Sequence, residues 1–394
     1  MIEAMTLSFQ NRPSVNGSPV LSADSSLDPG QIDPSAATDG QVIQYSNGVV
    51  GWGAGGTGSG CEVVESIVAS PVRLRLQCGS HTFIVEGSTL EASAFATEGL
   101  WTYDYHCALT PADEIQCWGR DEYGQVSGAP AGTFTQLASG AEHTCGLNTV
   151  GGVECWGRDD YAQVSNASSS AFSHIYAAYY RTCGIDTVGA LHCWGRDNDG
   201  QVSNTPSGGF TQVSMGEYYS CAISSAGDVT CWGNDSYGQV SNTPSGSFTA
   251  LTSGEYHTCG IESSGTIQCW GYNGNNQVSN TPSGSFTQLS AGPWFTCGID
   301  TSGSVQCWGD GANGVVSDVP VGSFSQLVTG REHVCALKTT GGVECWGHHL
   351  GTDGTPSNGT FVALQSNQFS TCGILDAGNV ICWGYTSEGQ ANPP

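Results

Sequence analysis

The chain has 394 residues, of which 57 are Gly, 18 are Cys and 11 are Trp, and only 11% are charged. This composition is typical of a turn-rich all-β protein and excludes one built from long helices. The formal net charge of −26 excludes nucleic acid and anionic membrane surfaces as partners, because both are bound chiefly through Lys and Arg. No stretch reaches the roughly 18 apolar residues that a membrane span needs, so we expect no membrane insertion.

Residues 1–58 contain no Cys and are rich in Ser, Gly, Asp and Pro. The opening run MIEAMTLSFQNRPSVNGSPV lacks a basic stretch followed by an apolar one, so a secretory signal is not expected. The run LDPGQIDPSAATDGQVIQYSNGVVGWG resembles segments of bacteriophage tail-fibre and virion-fibre proteins. The resemblance implies an extended segment that attaches to other virion proteins and forms a homotrimer, with Tyr45 and Trp52 at the contact. A flexible linker is the alternative interpretation.

Residues 59–95 are predicted to form a small β module, which could serve as a collar or an oligomer contact. Apolar residues alternate with other residues in PVRLRLQCGSHTFIVEG, as they do in half-buried strands. These apolar residues are Val72, Leu74, Leu76, Phe83 and Val85. The module also contains the pair Cys61 and Cys78.

Residues 96–394 repeat one unit. The triplet Cys-Trp-Gly recurs eight times, every 38 residues except for a last interval of 37, and a second Cys lies ten residues before the Cys of each triplet. Each unit contains short strands around a glycine turn and leaves no room for a helix. A period of this size with this content predicts one blade of a β-propeller.

The ring is predicted to have eight blades. The chain ends in GYTSEGQANPP, the first part of a repeat, and the segment STLEASAFATEGLWTYDYHCALTPADEIQ before the first triplet is the later part. Joined, the two segments make one unit, so the two ends of the domain share a blade and leave no open sheet edge. The recurring Trp, from Trp118 to Trp383, is interpreted as packing between neighbouring blades.

The paired Cys residues are disulfide candidates. If the turn is centred near Ser302, Cys297 faces Cys307 across an antiparallel pair, within reach of a disulfide. Zinc ligands and reduced, buried thiols are the alternatives, although the spacing departs from that of structural zinc sites. The candidate pairs are Cys61–Cys78, Cys107–Cys117, Cys145–Cys155, Cys183–Cys193, Cys221–Cys231, Cys259–Cys269, Cys297–Cys307, Cys335–Cys345 and Cys372–Cys382.

A disulfide framework without a secretory signal is unusual, since such frameworks form in oxidising compartments. A protein that is made in a host cytoplasm and released as part of a virus particle would resolve this conflict. We therefore expect the chain to be located in a virion.

The repeat also resembles a known one. The pattern SGEYHTCGIESSGTIQCWG, with GQVSN in the loops, resembles the repeat of the regulator of chromosome condensation family. The resemblance implies a β-propeller used as a binding platform, in the compact form of the family's bacterial relatives. The eukaryotic chromatin member has longer repeats in a seven-fold ring and acts on a small GTPase, so neither that role nor chromatin binding is expected of this acidic chain.

The repeats differ most at the two residues before the Thr-Cys of the second strand. In a closed ring these positions gather on one face or at the channel mouth, where aromatic and His side chains can anchor a protein or a glycan. The predicted partner-binding residues are Tyr105, His143, Tyr180, Arg181, Tyr218, Tyr219, Tyr256, His257, Trp294, Phe295, His333 and Phe369. The alternative is that the His packs or hydrogen-bonds within its own blade.

No metal or cofactor site is predicted. Asp197, Asp199 and Gly200 resemble part of a calcium loop, but the later ligands are absent and turn chemistry explains the same residues. No nucleophile elbow, phosphate loop or zinc-protease motif is found, and the variation is spread around the ring rather than concentrated at one pocket. We therefore expect no enzyme activity.

The sequence thus predicts a bacteriophage virion structural protein, such as a tail fibre, an appendage or a capsid fibre. Its propeller would bind a host-surface receptor or protect the particle. A secreted or surface-displayed inhibitor propeller is the second hypothesis. A glycan-processing enzyme is the third, and it would need two closely placed carboxylates.

Overall fold

The computed structural model describes residues 102–110, 112–348, 352–376 and 379–385, positions 387 and 389, and the backbone of six strands closer to the N-terminus. The chain divides into two compact units, Met1–Ala92 and Ser93–Pro394, which are described separately. No helix among the described residues is long and apolar enough to cross a membrane.

The first unit contains β1 (Val20–Ser22), β2 (Ile43–Ser46), β3 (Val49–Trp52), β4 (Glu62–Ile67), β5 (Arg73–Cys78) and β6 (His81–Glu86). β4, β5 and β6 form an antiparallel sheet, to which β1 adds in parallel beside β6. β2 and β3 form a hairpin. The contacts predicted for residues 1–58 and the pair Cys61–Cys78 lie outside the described residues.

The second unit is a β-propeller of eight antiparallel blades, which confirms the predicted fold class. Blade 1 has two described strands, β7 (Tyr105–Leu109) and β8 (Ile115–Gly119). Blades 2 to 4 are β9–β11 (Phe134–Ser139, His143–Asn148, Val153–Gly157), β12–β14 (Phe172–Ala178, Arg181–Asp186, Leu191–Gly195) and β15–β17 (Phe210–Met215, Tyr219–Ser224, Val229–Gly233). Blades 5 and 6 are β18–β20 (Phe248–Ser253, His257–Glu262, Ile267–Gly271) and β21–β23 (Phe286–Ala291, Phe295–Asp300, Val305–Gly309). Blades 7 and 8 are β24–β26 (Phe324–Thr329, His333–Lys338, Val343–Gly347) and β27–β29 (Phe361–Ser366, Ser370–Leu375, Val380–Gly384).

A disulfide joins the second and third strands of every blade. In blade 6 the turn is set by Asp300, whose Oδ1 accepts hydrogen bonds from the backbone N–H of Ser302 and Ser304. This turn places Cys297 directly opposite Cys307, with 4.0 Å between their Cα atoms. The same pairing occurs at Cys107–Cys117, Cys145–Cys155, Cys183–Cys193, Cys221–Cys231, Cys259–Cys269, Cys335–Cys345 and Cys372–Cys382. The eight predicted propeller disulfides are therefore confirmed.

The Trp of each triplet packs against the preceding blade, as predicted. Trp270 of blade 5 lies in one buried cluster with Cys221 and Ile223 of blade 4. Its indole N–H donates a hydrogen bond of 3.1 Å to the backbone carbonyl of Gln239, in the loop that joins the two blades. Trp156, Trp194, Trp232, Trp308 and Trp346 make the equivalent bond. Each Trp therefore supplies both apolar contact and a satisfied buried donor.

Glutamine side chains join the first strands of neighbouring blades. The side-chain amide of Gln136 donates a hydrogen bond of 2.8 Å to the backbone carbonyl of Ile175 and accepts one of 2.9 Å from the backbone N–H of the same residue. Gln212, Gln288 and Gln326 pair with the next blade in the same way. This two-bond pairing gives the Gln of the recurring Phe-Thr-Gln-Leu segment a structural role.

The last blade closes on the first. Trp118 of blade 1 packs against Cys372 and Ile374 of blade 8. His106 Nε2 lies 2.9 Å from Ser370 Oγ, at hydrogen-bond distance. Blade 1 thus meets blade 8 through the same kinds of contact that join the other blades. The segments predicted to complete the shared blade lie mostly outside the described residues.

Candidate functional site

The second variable residue before each Thr-Cys points between blades. His143 Nε2 lies 2.8 Å from Thr182 Oγ1 of the next blade, and His257 Nε2 lies 2.8 Å from Thr296 Oγ1. The hydroxyl of Tyr219 donates 2.6 Å to the backbone carbonyl of His257. Different side chains therefore make the same connection around the ring.

Arg181 makes this connection in blade 3 with a buried charge. Its guanidinium donates to the backbone carbonyls of Gly216, Glu217 and Tyr219 in blade 4. Burial lowers the pKa of Arg181 to about 10, so the group stays charged at neutral pH. Several carbonyl oxygens compensate for the water that the charge has lost.

These placements correct part of the predicted binding ring. Residues at the second position are exposed by no more than 2%, and a partner on the face cannot contact them. They are Tyr105, His143, Arg181, Tyr219, His257, Phe295 and His333. Burial lowers the pKa of His143 to about 4 and those of His257 and His333 to about 3, which keeps all three neutral. Their role is to join blades, and the partner in each hydrogen bond belongs to the next blade rather than to their own.

The first variable residue lies on the face. Tyr180, Tyr218, Tyr256 and Trp294 are partly exposed in four consecutive blades. The ring centroids of Tyr218 and Tyr256 are 6.2 Å apart, and those of Tyr256 and Trp294 are 5.5 Å apart. Tyr179 stacks on Tyr218 at 6.4 Å. The structure thus brings these predicted residues together into one aromatic row.

The glycine of each triplet places a second side chain beside each face residue. Gly233 has φ +102°, and a Cβ there would lie 2.6 Å from the carbonyl oxygen of Tyr218. This close approach lets the next residue, Asn234, donate its backbone N–H to the same carbonyl at 2.9 Å. The equivalent pairs are Arg120–Asp104, Arg158–Glu142, Arg196–Tyr180, Tyr272–Tyr256, Asp310–Trp294, His348–Glu332 and Tyr385–Phe369. The residue after Cys-Trp-Gly therefore belongs to the face.

A third contribution comes from the loops after the triplets. In blade 2 the carboxylate of Asp159 accepts the backbone N–H of Val164 and Ser165, which fixes the loop and leaves Tyr161 exposed. Asp197 accepts from Val202 and Ser203 in the same way, so this carboxylate serves the turn. Among the described residues no group of three or more His, Cys, Asp or Glu side chains could hold a metal ion.

The three contributions form one surface, which we call the aromatic arc. It consists of Tyr123, Tyr161, Tyr179, Tyr180, Tyr218, Tyr237, Tyr256, Tyr272 and Trp294. Two arginines lie within it: Arg158 is 4.9 Å from the ring centroid of Tyr123 and 5.3 Å from that of Tyr180. Arg196 is 5.6 Å from Tyr161 and 4.7 Å from Tyr218. The arc therefore spans loops and strands of blades 1 to 6.

A carboxyl pair, Glu217 and Glu255, lies next to Tyr256 of the arc. The backbone N–H of Glu217 donates to the carbonyl of Glu255, which joins two neighbouring blades. Burial, a hydrogen bond to Glu217 and the charge of Glu217 together raise the pKa of Glu255 to about 7. The hydroxyl of Tyr256 donates 3.2 Å to Glu217 Oε2. Glu255 therefore stays largely protonated in mildly acidic solution.

The other side of the face has different chemistry. Glu332 occupies the face position in blade 7, and its Oε2 accepts a hydrogen bond of 3.2 Å from Asn313. Phe369, the remaining predicted residue, lies 6.2 Å from the ring of Tyr385, outside the arc. The aromatic surface is therefore confined to one part of the ring.

Sequence reasoning missed most of the arc. The loop tyrosines, Tyr179, Tyr272, both arginines and the carboxyl pair were not among the predicted residues. A usable signal was present, because the first and the fourth residue after each Cys-Trp-Gly triplet are as variable as the face position. Their proximity depends on the φ of the triplet glycine, which the sequence does not display.

The fold and the site together define a disulfide-linked β-propeller with an aromatic arc on one face. The model of the regulator of chromosome condensation (RCC1) repeat matches residues 210–239, 248–277 and 286–315, which fall in blades 4, 5 and 6. Three blades of the second unit accordingly match this repeat. No curated protein matches the sequence.

Solved structures with this fold are similar over most of the propeller. The ectodomain of the Physcomitrella patens receptor kinase CR4 is 25% identical with a TM-score of 0.53, covering 64% of this chain and 73% of that one. The Crinkly WD40 ectodomain of the Arabidopsis thaliana receptor kinase ACR4 is 22% identical with a TM-score of 0.51, covering 64% and 97%. Yeast RCC1 (Prp20), bound to Kap60, is 14% identical with a TM-score of 0.52, covering 71% and 92%. These likenesses show the fold.

Proposed function

We propose that the chain is a binding protein displayed outside the cell, and that its propeller captures a surface partner through the aromatic arc. The observation that carries this proposal is the arc itself. Large, partly exposed aromatic side chains that are held in place by their neighbours are favourable anchors for a partner, because little side-chain freedom is lost on binding. Tyr123, Tyr161 and Tyr237 remain 37–49% exposed.

The disulfides support the display of the propeller outside the cell. Eight disulfides are typical of a protein that works in an oxidising environment. Two of the similar structures are receptor kinase ectodomains, so propellers of this shape are displayed by other proteins.

The particle on which we place the propeller is a bacteriophage virion. Residues 1–58 resemble virion-fibre segments, and in this proposal they attach a homotrimer to other virion proteins while the propeller faces a host receptor. A freely secreted inhibitor propeller would use the same arc and would need no such attachment.

The carboxyl pair does not favour a glycan-processing enzyme. Glycoside hydrolysis places a sugar or a water between two carboxyl groups that are about 5 Å or more apart. Glu217 and Glu255 instead lie on adjacent segments joined by a backbone hydrogen bond, and the charge of Glu217 raises the pKa of Glu255. This contact fits a binding surface better than a hydrolytic centre.

Binding of the purified chain to intact bacterial cells tests the proposed role of the arc. Tyr218→Ala and Trp294→Ala should each abolish most of the binding that the unchanged protein shows. Val188→Ala is the matched control, because Val188 is an exposed apolar residue at a hairpin turn, 84% accessible, and is not part of the arc. Equal binding by all three variants would refute a role for the arc.

The native mass tests the virion proposal separately. We expect the full-length chain to be a trimer and a chain that begins at residue 96 to be a monomer. Monomers in both cases would favour the freely secreted binding module.

A further inference from the structure

The aromatic arc already binds two guanidinium groups of its own chain. Arg158 lies over Tyr123 and Tyr180, and its charge is met by carboxylates of Glu142 and Asp160, each at 2.6 Å. Arg196 repeats the aromatic part of the arrangement one blade later, over Tyr161 and Tyr218. The molecule thus shows which ligand chemistry its face accepts, namely a planar cation between tyrosine rings with a carboxylate beside it.

The arginine is replaced at the next step around the ring. Asn234 follows the triplet of blade 4, where Arg158 and Arg196 follow those of blades 2 and 3. Its short side chain donates a hydrogen bond of 3.1 Å to Asp199 Oδ1. It brings no positive charge to the neighbouring ring of Tyr256. The aromatic surface continues through Tyr256, but the built-in cation does not.

Negative charge accumulates at this same step. Asp199 accepts a hydrogen bond from the side chain of Asn234, and Glu217 accepts one from the hydroxyl of Tyr256. The backbone N–H of Glu217 donates to the carbonyl of Glu255. This part of the arc therefore combines aromatic rings with three carboxyl groups, within a chain whose formal net charge is −26.

We propose that the arc around Tyr256 receives an arginine side chain from a basic segment of a partner protein, with Asp199, Glu217 and Glu255 facing its charge. The inference rests on the proposed function, since it names the class of partner for the same surface. Arginine fits better than lysine because its planar, weakly hydrated guanidinium stacks on aromatic rings. A neutral glycan could stack on the rings but would leave the carboxyl groups without a counter-charge.

The carboxyl pair makes binding depend on pH. The groups that act on Glu255 are the carboxyl of Glu217, the hydroxyls of Tyr256 and Tyr179, and the more distant guanidinium of Arg331. Ionising both carboxyls places like charges together, and a bound cation offsets their repulsion. Cation binding should therefore release a proton and become stronger as the pH rises through about 7.

Calorimetric titration of the full chain with a flexible peptide that carries several arginines tests the inference. The matched probe is the same peptide with citrulline, which keeps the shape of arginine but lacks its charge. At low salt we expect the arginine peptide to bind at least about tenfold more tightly than the citrulline peptide, and more tightly at about pH 8 than at about pH 5.5. Equal affinities for the two peptides would overturn the proposal.

Three variants separate specific binding from attraction to an acidic chain. Asn234→Arg supplies the missing cation from within the chain and should weaken peptide binding about tenfold, as should Tyr256→Ala. Glu114→Gln removes one negative charge at an exposed hairpin turn and should leave the affinity unchanged. If all three bind the peptide alike, the interaction is non-specific and the inference is wrong.

The cell-binding assay distinguishes this inference from the proposed function. If Tyr256→Ala abolishes cell binding while neither the arginine peptide nor soluble polyarginine competes, the arc binds a different class of partner and only the inference fails. If Tyr256→Ala binds cells normally, the proposed function of the arc fails as well. Competition by a neutral oligosaccharide but not by the peptide would identify a glycan partner instead.

Discussion

Two adjacent residues of each repeat belong to two very different regions of the molecule. His257 is buried between blades 5 and 6, whereas Tyr256 beside it lies on the exposed face. The buried position holds His, Tyr, Arg, Phe or Ser in different blades, yet its hydrogen-bonding members all reach the following blade. The exposed position changes its contacts whenever its residue type changes. Closure of the ring thus restricts one position to a single task and leaves its neighbour free to acquire a specific surface.

The tryptophans provide the largest test of this comparison. Trp270→Ala removes a buried side chain that fills the space between two blades, so we expect a loss of about 3–5 kcal/mol in the free energy of unfolding. Trp294→Ala is the matched change on the face and should alter stability little while weakening partner binding. Urea denaturation of both variants measures the difference. Similar losses would show that the face supports the fold as much as the buried layer does.

The disulfides test whether the second and third strands depend on a covalent link. Replacing Cys259 and Cys269 together by Ala should lower the free energy of unfolding by at most about 2–3 kcal/mol, because the bridged loop is short. The change lies within one blade, so binding at the face should be retained. An unchanged denaturation midpoint would mean that hydrogen bonds and packing alone hold the hairpin.

The fold could be predicted from the sequence because its main determinants are repeated. A fixed interval of ten residues between Cys positions fits a hairpin that brings each pair together, and eight copies of a blade need a closed ring to cover their edges. Both conclusions depend on spacing, which the sequence displays directly. The contacts of Cys297 with Cys307 and of Trp118 with blade 8 bear them out.

The site could be predicted only in part, because adjacent residues at the start of a strand point in different directions. The sequence shows two variable positions but does not say which is buried. One clue was available: Gly254 lies three residues before His257, and a Cβ there would collide with the imidazole ring. Where this glycine is replaced by Ala178 or Asn367, the buried residue is Arg181 or Ser370, although in blade 1 Thr102 precedes the buried ring of Tyr105. The arrangement of loop tyrosines and arginines depends on neighbouring blades and has no comparable local signal.

The buried histidines should make the propeller sensitive to acid. Burial lowers the pKa of His257 to about 3, whereas the unfolded chain binds a proton near pH 6.5. The contribution of the neutral His to the free energy of unfolding is therefore fully present above about pH 6.5. As the pH falls, this contribution decreases by about 1.4 kcal/mol per pH unit for each such His. His257→Tyr, which copies Tyr219, should reduce the slope of stability against pH in this range. Chemical denaturation at several pH values measures it, and the exposed His174→Tyr is the control that should leave the slope unchanged.

The smallest expected effect has the opposite sign and belongs to the face. Burial and Glu217 raise the pKa of Glu255 above its unfolded value, so its contribution to stability is fully present below about pH 4.5 and is lost as the pH rises through about 7. Glu217→Gln removes the neighbouring charge and should raise the melting temperature slightly at about pH 8, with little gain at about pH 5. Glu332→Gln, an exposed carboxyl on the other side of the face, should show no such dependence. Calorimetric melting at both pH values measures this effect. A face that holds charge for a partner should become more stable with Glu217→Gln. A face that evolved for stability would become less stable with the same change.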